Sequence, residues 1–119
     1  MSLYLIKKNK VITMTRGDST SLKIEVNTSD FPAQINTGDL FFFGVMEPNQ
    51  PFEKAIIKKE LAYENYDSSH GTLKIDIEPE DTIELIPGTY YYQIKVLSKN
   101  DGDPRIDTVV QKTKFNIID

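Results

Sequence analysis

An all-β chain folded as a two-sheet sandwich is what the sequence predicts, and three observations predict it. Leu22, Ile24 and Val26 alternate with Lys23, Glu25 and Asn27, and Leu73, Ile75 and Ile77 alternate with Lys74 and Asp76. That period of two marks half-buried strands. Turn-forming residues recur roughly every eight to fifteen positions, which leaves about eight short strands and no amphipathic helix of useful length. The stretch Glu80 to Leu97, EDTIELIPGTYYYQIKVL, passes from a polar turn into a long alternating strand. In immunoglobulin-like sandwiches a Tyr at the start of the penultimate strand bonds its hydroxyl to backbone a few residues upstream, at the corner between the sheets. Leu85-Ile86-Pro87-Gly88-Thr89-Tyr90 reads as that corner. The expected fold is an immunoglobulin-like Greek-key sandwich with a one-turn helix just before the Tyr, and Asp81, Leu85, Gly88 and Tyr90 are its structural corner residues.

Taken in order, Tyr4 to Lys8 and Val11 to Thr15 predict an edge strand feeding a first core strand, with Ile12 and Met14 on one face. Arg16-Gly17-Asp18-Ser19 is a turn. Asn27 to Asp39 is too irregular for an element and predicts a long crossover, with Phe31 and Ile35 tucked beneath it. Leu40 to Glu47 is the most apolar run and predicts a central strand covered on both faces; its outer face, Leu40, Phe42 and Met46, is alternatively a partner surface, and Gly44 permits a close backbone approach. Glu53 to Leu61 predicts a strand in which adjacent Ile56 and Ile57 mark a bulge or a helical turn. Tyr63 to Gly71 is a polar connection. Pro79 suits the first position of a one-turn helix, with Glu80 and Asp81 at the positive end of its dipole. Tyr90, Tyr92, Ile94 and Val96 share a face. Asp101-Gly102 predicts a hairpin that pairs Ile106 to Ile118 antiparallel with the Tyr90 strand, Phe115 and Ile117 completing the core.

A chain of 119 residues is long enough for one self-sufficient core, and residues 1–119 are expected to form a single domain. With no cysteine, disulfides, thiolate metal sites and thiol nucleophiles are excluded. A net charge of -4 disfavours a nucleic-acid-binding face, which is normally strongly basic. No run approaches the roughly 18 apolar residues of a membrane span, and the N-terminus lacks the features of a secretory signal, so synthesis in the cytoplasm without membrane insertion is expected.

Candidate chemistry is thin. Arg16-Gly17-Asp18 matches an adhesion tripeptide, but Gly17 and Asp18 already serve the turn. His70, the single histidine, stands in a polar loop with no Ser-His-Asp spacing evident. Asp76, Glu78, Glu80, Asp81 and Glu84 raise Ca²⁺ binding or an acid/base pair, yet alternation points the first two outward while the rest lie on the following turn. Asn100, Asp101 and Asp103 are accounted for by the hairpin. Tyr63, Tyr66, Tyr91 and the Phe residues near Leu40 raise a sugar-stacking platform, although strand aromatics more often serve the core. No phosphate-cradling glycine loop or nucleophile elbow occurs. The residues imply no catalytic, cofactor or metal site, and no cofactor is expected.

The order of signals resembles small virion proteins of phages and prophages of Gram-positive bacteria, including the N-terminal sandwich of baseplate upper proteins. The resembling pieces are TRGDSTSLKIEV (Thr15 to Val26), GDLFFFGV (Gly38 to Val45), IKKE (Ile57 to Glu60), GTLKIDIEPEDTIEL (Gly71 to Leu85), GTYYYQIKV (Gly88 to Val96) and KFNI (Lys114 to Ile117). Each is a strand or turn signature, so the likeness lies in order and spacing. A baseplate upper protein continues into a longer C-terminal part, so the resemblance implies either a stand-alone accessory or adaptor protein or a domain excised from a longer chain. The resemblance implies a non-enzymatic virion component that partners with other virion proteins and with itself, through a surface the sequence leaves unknown. A second reading, a module for host cell-wall glycan, rests on the surplus of Tyr and the acidic turns.

Overall fold

Two sheets are built from nine strands in a computed structural model that describes residues 3–6, 10–26, 38–100 and 103–119. The strands are β1 (Leu3–Ile6), β2 (Ile12–Thr15), β3 (Thr20–Glu25), β4 (Leu40–Met46), β5 (Ile57–Leu61), β6 (Tyr66–Asp67), β7 (Thr72–Ile77), β8 (Gly88–Asn100) and β9 (Asp103–Ile118). The one α-turn among the described residues, α1 (Pro79–Thr82), joins β7 to β8. One sheet has the order β1-β3-β7-β6 and the other β2-β9-β8-β4-β5. Consecutive strands cross between sheets at β1–β2, β2–β3, β3–β4, β5–β6 and β7–β8 and pair within a sheet at β4–β5, β6–β7 and β8–β9, which is the Greek-key connectivity of an immunoglobulin-like sandwich.

The alternation read from the sequence is what fills the core. Leu22 and Ile24 on β3, Leu73, Ile75 and Ile77 on β7, and Tyr92, Ile94 and Val96 on β8 are all essentially excluded from solvent. Phe43, Tyr92 and Phe115 meet in the middle with ring centroids 6.0 to 6.4 Å apart, two of the three pairs edge-to-face, the arrangement the aromatic quadrupole favours.

Several expectations need correcting. Ile12–Thr15 contributes Ile12 and Met14 to the core, but β2 is itself the edge of its sheet, and β1 lies in the opposite sheet, parallel to β3. The predicted strand over Glu53 to Leu61 starts only at Ile57, because Phe52–Lys54 forms a 3-10 turn. The Val45 carbonyl accepts the Ile56 N–H at 2.8 Å while Ile57 already stands opposite Val45, so two residues face one and the strand opens on a bulge. Within the predicted connection Tyr63 to Gly71, Tyr66–Asp67 pairs with the start of β7. The hairpin arms are longer than expected, closing at Asn100 opposite Asp103, and β9 carries irregularities that put adjacent Val109 and Val110 both in the core. Phe31, Ile35 and the Asp101-Gly102 pair lie outside the described residues.

Gly44 is approached by side chains rather than backbone. The segment after β4 folds back over the outer face of that strand, and a Cβ built on Gly44 would stand 2.8 Å from the Phe52 ring and 3.2 Å from the Ala55 methyl. The chain thereby covers part of its own apolar face: Gly44 and Met46 are buried, while Leu40 and Phe42 stay half-buried. Lys95 lies 5.0 Å above the Phe52 ring, a cation–π contact on the solvent side. Gly44→Ala is expected to cost about 1–2 kcal/mol through overpacking, read as a lower urea midpoint at unchanged m-value.

Candidate assembly surface

The corner is built from the turn upward. Pro79 opens α1, and the Asp81 carboxylate turns back to accept the Glu78 N–H at 2.8 Å. The same Oδ2 is 2.7 Å from Lys59 Nζ, so α1 is tied to the edge strand β5 of the opposite sheet. Thr82 is fully buried and its Oγ1 accepts the Gly17 N–H at 2.8 Å. Leu85 packs against the core, its N–H donating to the Thr82 carbonyl. The Tyr90 hydroxyl then donates to the Ile86 carbonyl at 2.6 Å. Gly88 opens β8 opposite Ile117 with no positive φ, and a Cβ there meets nothing within 4 Å. Gly88→Ala is therefore expected to change stability by no more than about 0.5 kcal/mol, since neither space nor backbone conformation demands glycine.

The chemical candidates do not converge. In the Arg16-Gly17-Asp18 turn, Arg16 is folded back: its guanidinium is 2.8 Å from the Asp119 carboxylate and 3.4 Å from the Ile83 carbonyl. Gly17 is at φ +81°, with Ile83 Cδ1 2.8 Å from where a Cβ would stand, and that geometry is the turn's requirement for glycine. His70 does meet a carboxylate and a hydroxyl, which sequence spacing did not suggest. Its Nδ1 is 2.8 Å from Asp67 Oδ2 and 3.0 Å from Ser69 Oγ. Both contacts use one ring nitrogen, whereas a nucleophile–base–orienter relay needs both. Hydrogen bonds from Ser69 and then His70 hold the Asp67 carboxyl well below the usual carboxylate range. The cluster closes an exposed turn.

The five acidic residues scatter. Asp76 accepts the Ser21 hydroxyl at 2.7 Å, Asp81 turns inward to Lys59, and Glu78, Glu80 and Glu84 face solvent. Among the described residues no group of three or more His, Asp or Glu side chains is placed to hold a metal ion. Tyr66 stacks on Phe41 at 5.4 Å with Tyr63 beside it at 6.1 Å, while Tyr91 stands on the other sheet opposite Met46 and Lys114, so the three do not share a platform. No described helix is long and apolar enough to cross a membrane.

What remains are surfaces suited to contact. At the corner end, Ile86 is 79% exposed, Ile83 51% and Ile118 48%. They share that end because Arg16 bridges α1 and the end of β9, its N–H donating to the Ile118 carbonyl at 2.8 Å. A cleft of about 460 Å³ runs along β2, lined by residues that include Ile6, Met14, Leu22 and Ile118. The sheet edges are β1, β6, β2 and β5.

No protein-family model matches the chain, and no curated protein matches it by sequence. A solved structure does match: the N-terminal domain of phage TP901-1 ORF48, with a TM-score of 0.60 and 15% identity, over 99% of this chain and 98% of that one. At that identity the likeness is one of fold. The chain has a fold found in a phage protein.

Proposed function

We propose that this chain is a non-enzymatic structural component of a phage or prophage particle, in the tail, baseplate or capsid, acting as one domain over residues 1–119 by binding other virion proteins and itself. One observation carries the reading: the fold likeness to the phage ORF48 domain spans both chains end to end, with no large insertion left over on either side. Exposed Ile83, Ile86 and Ile118 at one end support it, since clustered apolar side chains at a surface mark sites of protein contact. Fold likeness alone leaves the site of action to be decided by contacts. The genes flanking the native reading frame test the reading at once. Tail, baseplate, portal or lysis genes on either side are expected; a neighbourhood of secreted enzymes and surface proteins would contradict it.

A further inference from the structure

Following the backbone hydrogen bonds across the larger sheet shows which groups β5 leaves unpaired among the described residues. Arg16 donates its N–H to the Ile118 carbonyl, so the even-numbered residues at the end of β9 face β2 and the odd-numbered ones face β8. Facing groups alternate along each strand. Through the pairs Phe115–Tyr90, Tyr91–Met46 and Val45–Ile57, the alternation directs the backbone of Ile57, Lys59 and Leu61 to β4 and that of Lys58 and Glu60 outward.

We infer that this free edge of β5 is a two-fold interface, at which a second copy of the chain pairs antiparallel with Lys59 opposite Lys59 and Lys58 opposite Glu60. The inference deepens the assembly reading above and rests on it for its biological use, though not for its geometry. Charge selects the register. Centring the two-fold on Lys58 sets lysine against lysine, and centring it on Glu60 sets glutamate against glutamate. Only the Lys59 centre engages both outward residues of each strand and sets Lys58 against Glu60, and directly opposed unlike charges stabilise a strand pair whereas like charges oppose it. Its one like-charge contact, Lys59 against Lys59, lies on the inward face, where each lysine is paired with Asp81 of its own copy. The same register places Ile57 opposite Leu61 on the inward face. The larger sheet then runs unbroken through both copies.

The other edges are guarded. β6 has two residues. The described β1 and β2 have four each, and the Thr15 carbonyl of β2 is taken by the Asp18 N–H. The part of β9 beyond β2 is interrupted by its irregularities and by Pro104. β5 runs five residues in regular register beyond its opening bulge, without proline or glycine. An inward-pointing lysine on an edge is ordinarily a guard as well, because an incoming strand buries it without a counter-ion. Here Asp81 already supplies one at 2.7 Å, so each Lys59 enters the interface neutralised.

Sedimentation and light scattering of the full chain from about 1 μM to about 1 mM test this, with charge reversals at the two exposed positions. The wild type is expected to dimerise, Lys58→Glu and Glu60→Lys each to weaken the dimer about tenfold or more, and the double swap to restore it. In a chain without native cysteine, Lys58→Cys mixed with Glu60→Cys should form a covalent heterodimer on oxidation, since directly opposed residues lie about 5.5 Å apart, while each variant alone should not. A wild type that stays monomeric throughout, or a dimer indifferent to all three charge variants, overturns the inference. A monomer that still co-migrates with neighbouring virion proteins overturns the two-fold and keeps the assembly reading. A dimer that obeys the charge swap but ignores those proteins keeps the two-fold and overturns the virion reading.

Discussion

Asp81→Ala is expected to lower the unfolding free energy by about 2–4 kcal/mol. One carboxylate oxygen carries two loads, the Glu78 N–H at 2.8 Å and the Lys59 ammonium at 2.7 Å. Losing an N-terminal cap costs about 1 kcal/mol. Losing the counter-ion adds more, because Lys59 points into the seam between the sheets with its side chain only 23% exposed and Asp81 only 20%. That residual exposure keeps the penalty below the roughly 3–5 kcal/mol of a fully buried pair. Asp81→Asn retains the cap acceptor and removes only the charge, so about half the loss is expected. Urea unfolding reads both; equal effects of Ala and Asn would show that the cap contributes nothing. The damage should extend to the corner, since α1 also presents Thr82 to the Gly17 N–H and leads into the turn that the Tyr90 hydroxyl ties down.

Tyr92→Ala is expected to cost about 3–5 kcal/mol and Tyr92→Phe about 1–2 kcal/mol. The ring sits at 0% exposure between Phe43 and Phe115, and its hydroxyl donates to the Lys10 carbonyl at 2.7 Å, anchoring the approach to β2. Truncation to Ala opens a cavity that a sheet core does not readily close, whereas Phe keeps the packing and leaves one carbonyl without its donor. Burial also pushes the Tyr92 hydroxyl up to about 12 from 10.0. The neutral form is therefore favoured in the folded state. Its contribution is complete below pH 10 and is lost as pH rises through about 12, by about 2–3 kcal/mol. A stability–pH curve should fall across that window and flatten in Tyr92→Phe. Phenolate absorbance of the folded protein should show Tyr92 ionising well above pH 10; ionisation at pH 10 would contradict the burial argument.

Most of the fold was legible because its cause is local. Leu22, Ile24, Leu73 and Ile75 declare their strands by alternation with charged neighbours, and Pro87-Gly88 followed by Tyr90 declares the corner, because period and turn chemistry are properties of a few adjacent residues. The features that were missed depend on partners distant in sequence. Nothing near Ile12 says that β2 pairs with β9 while β1 joins the other sheet. Nothing near Gly44 says that Phe52 folds back onto it. The two residues of β6 are a strand only because β7 lies beside them. Lys59 was hidden for a further reason: it occupies an inward position that the pattern reserves for an apolar residue, and it is tolerated there because Asp81 reaches it from another element. Of the candidate surface, the turn around Tyr90 follows a local pattern in the sequence, although nothing in the structure requires glycine at Gly88. The β5 edge follows no such pattern, since an edge is defined by which strand is missing beside it.

The proposed assembly role rests on the end-to-end fold likeness to a phage domain, a corner end with exposed isoleucines, and a regular edge whose outward residues are Lys58 and Glu60. Its most direct test is light scattering on a sizing column, with the chain run alone and then mixed with each product of the genes flanking its native reading frame. The account predicts a stoichiometric complex with at least one tail, baseplate or capsid protein. A chain that elutes separately from every one of them would contradict it.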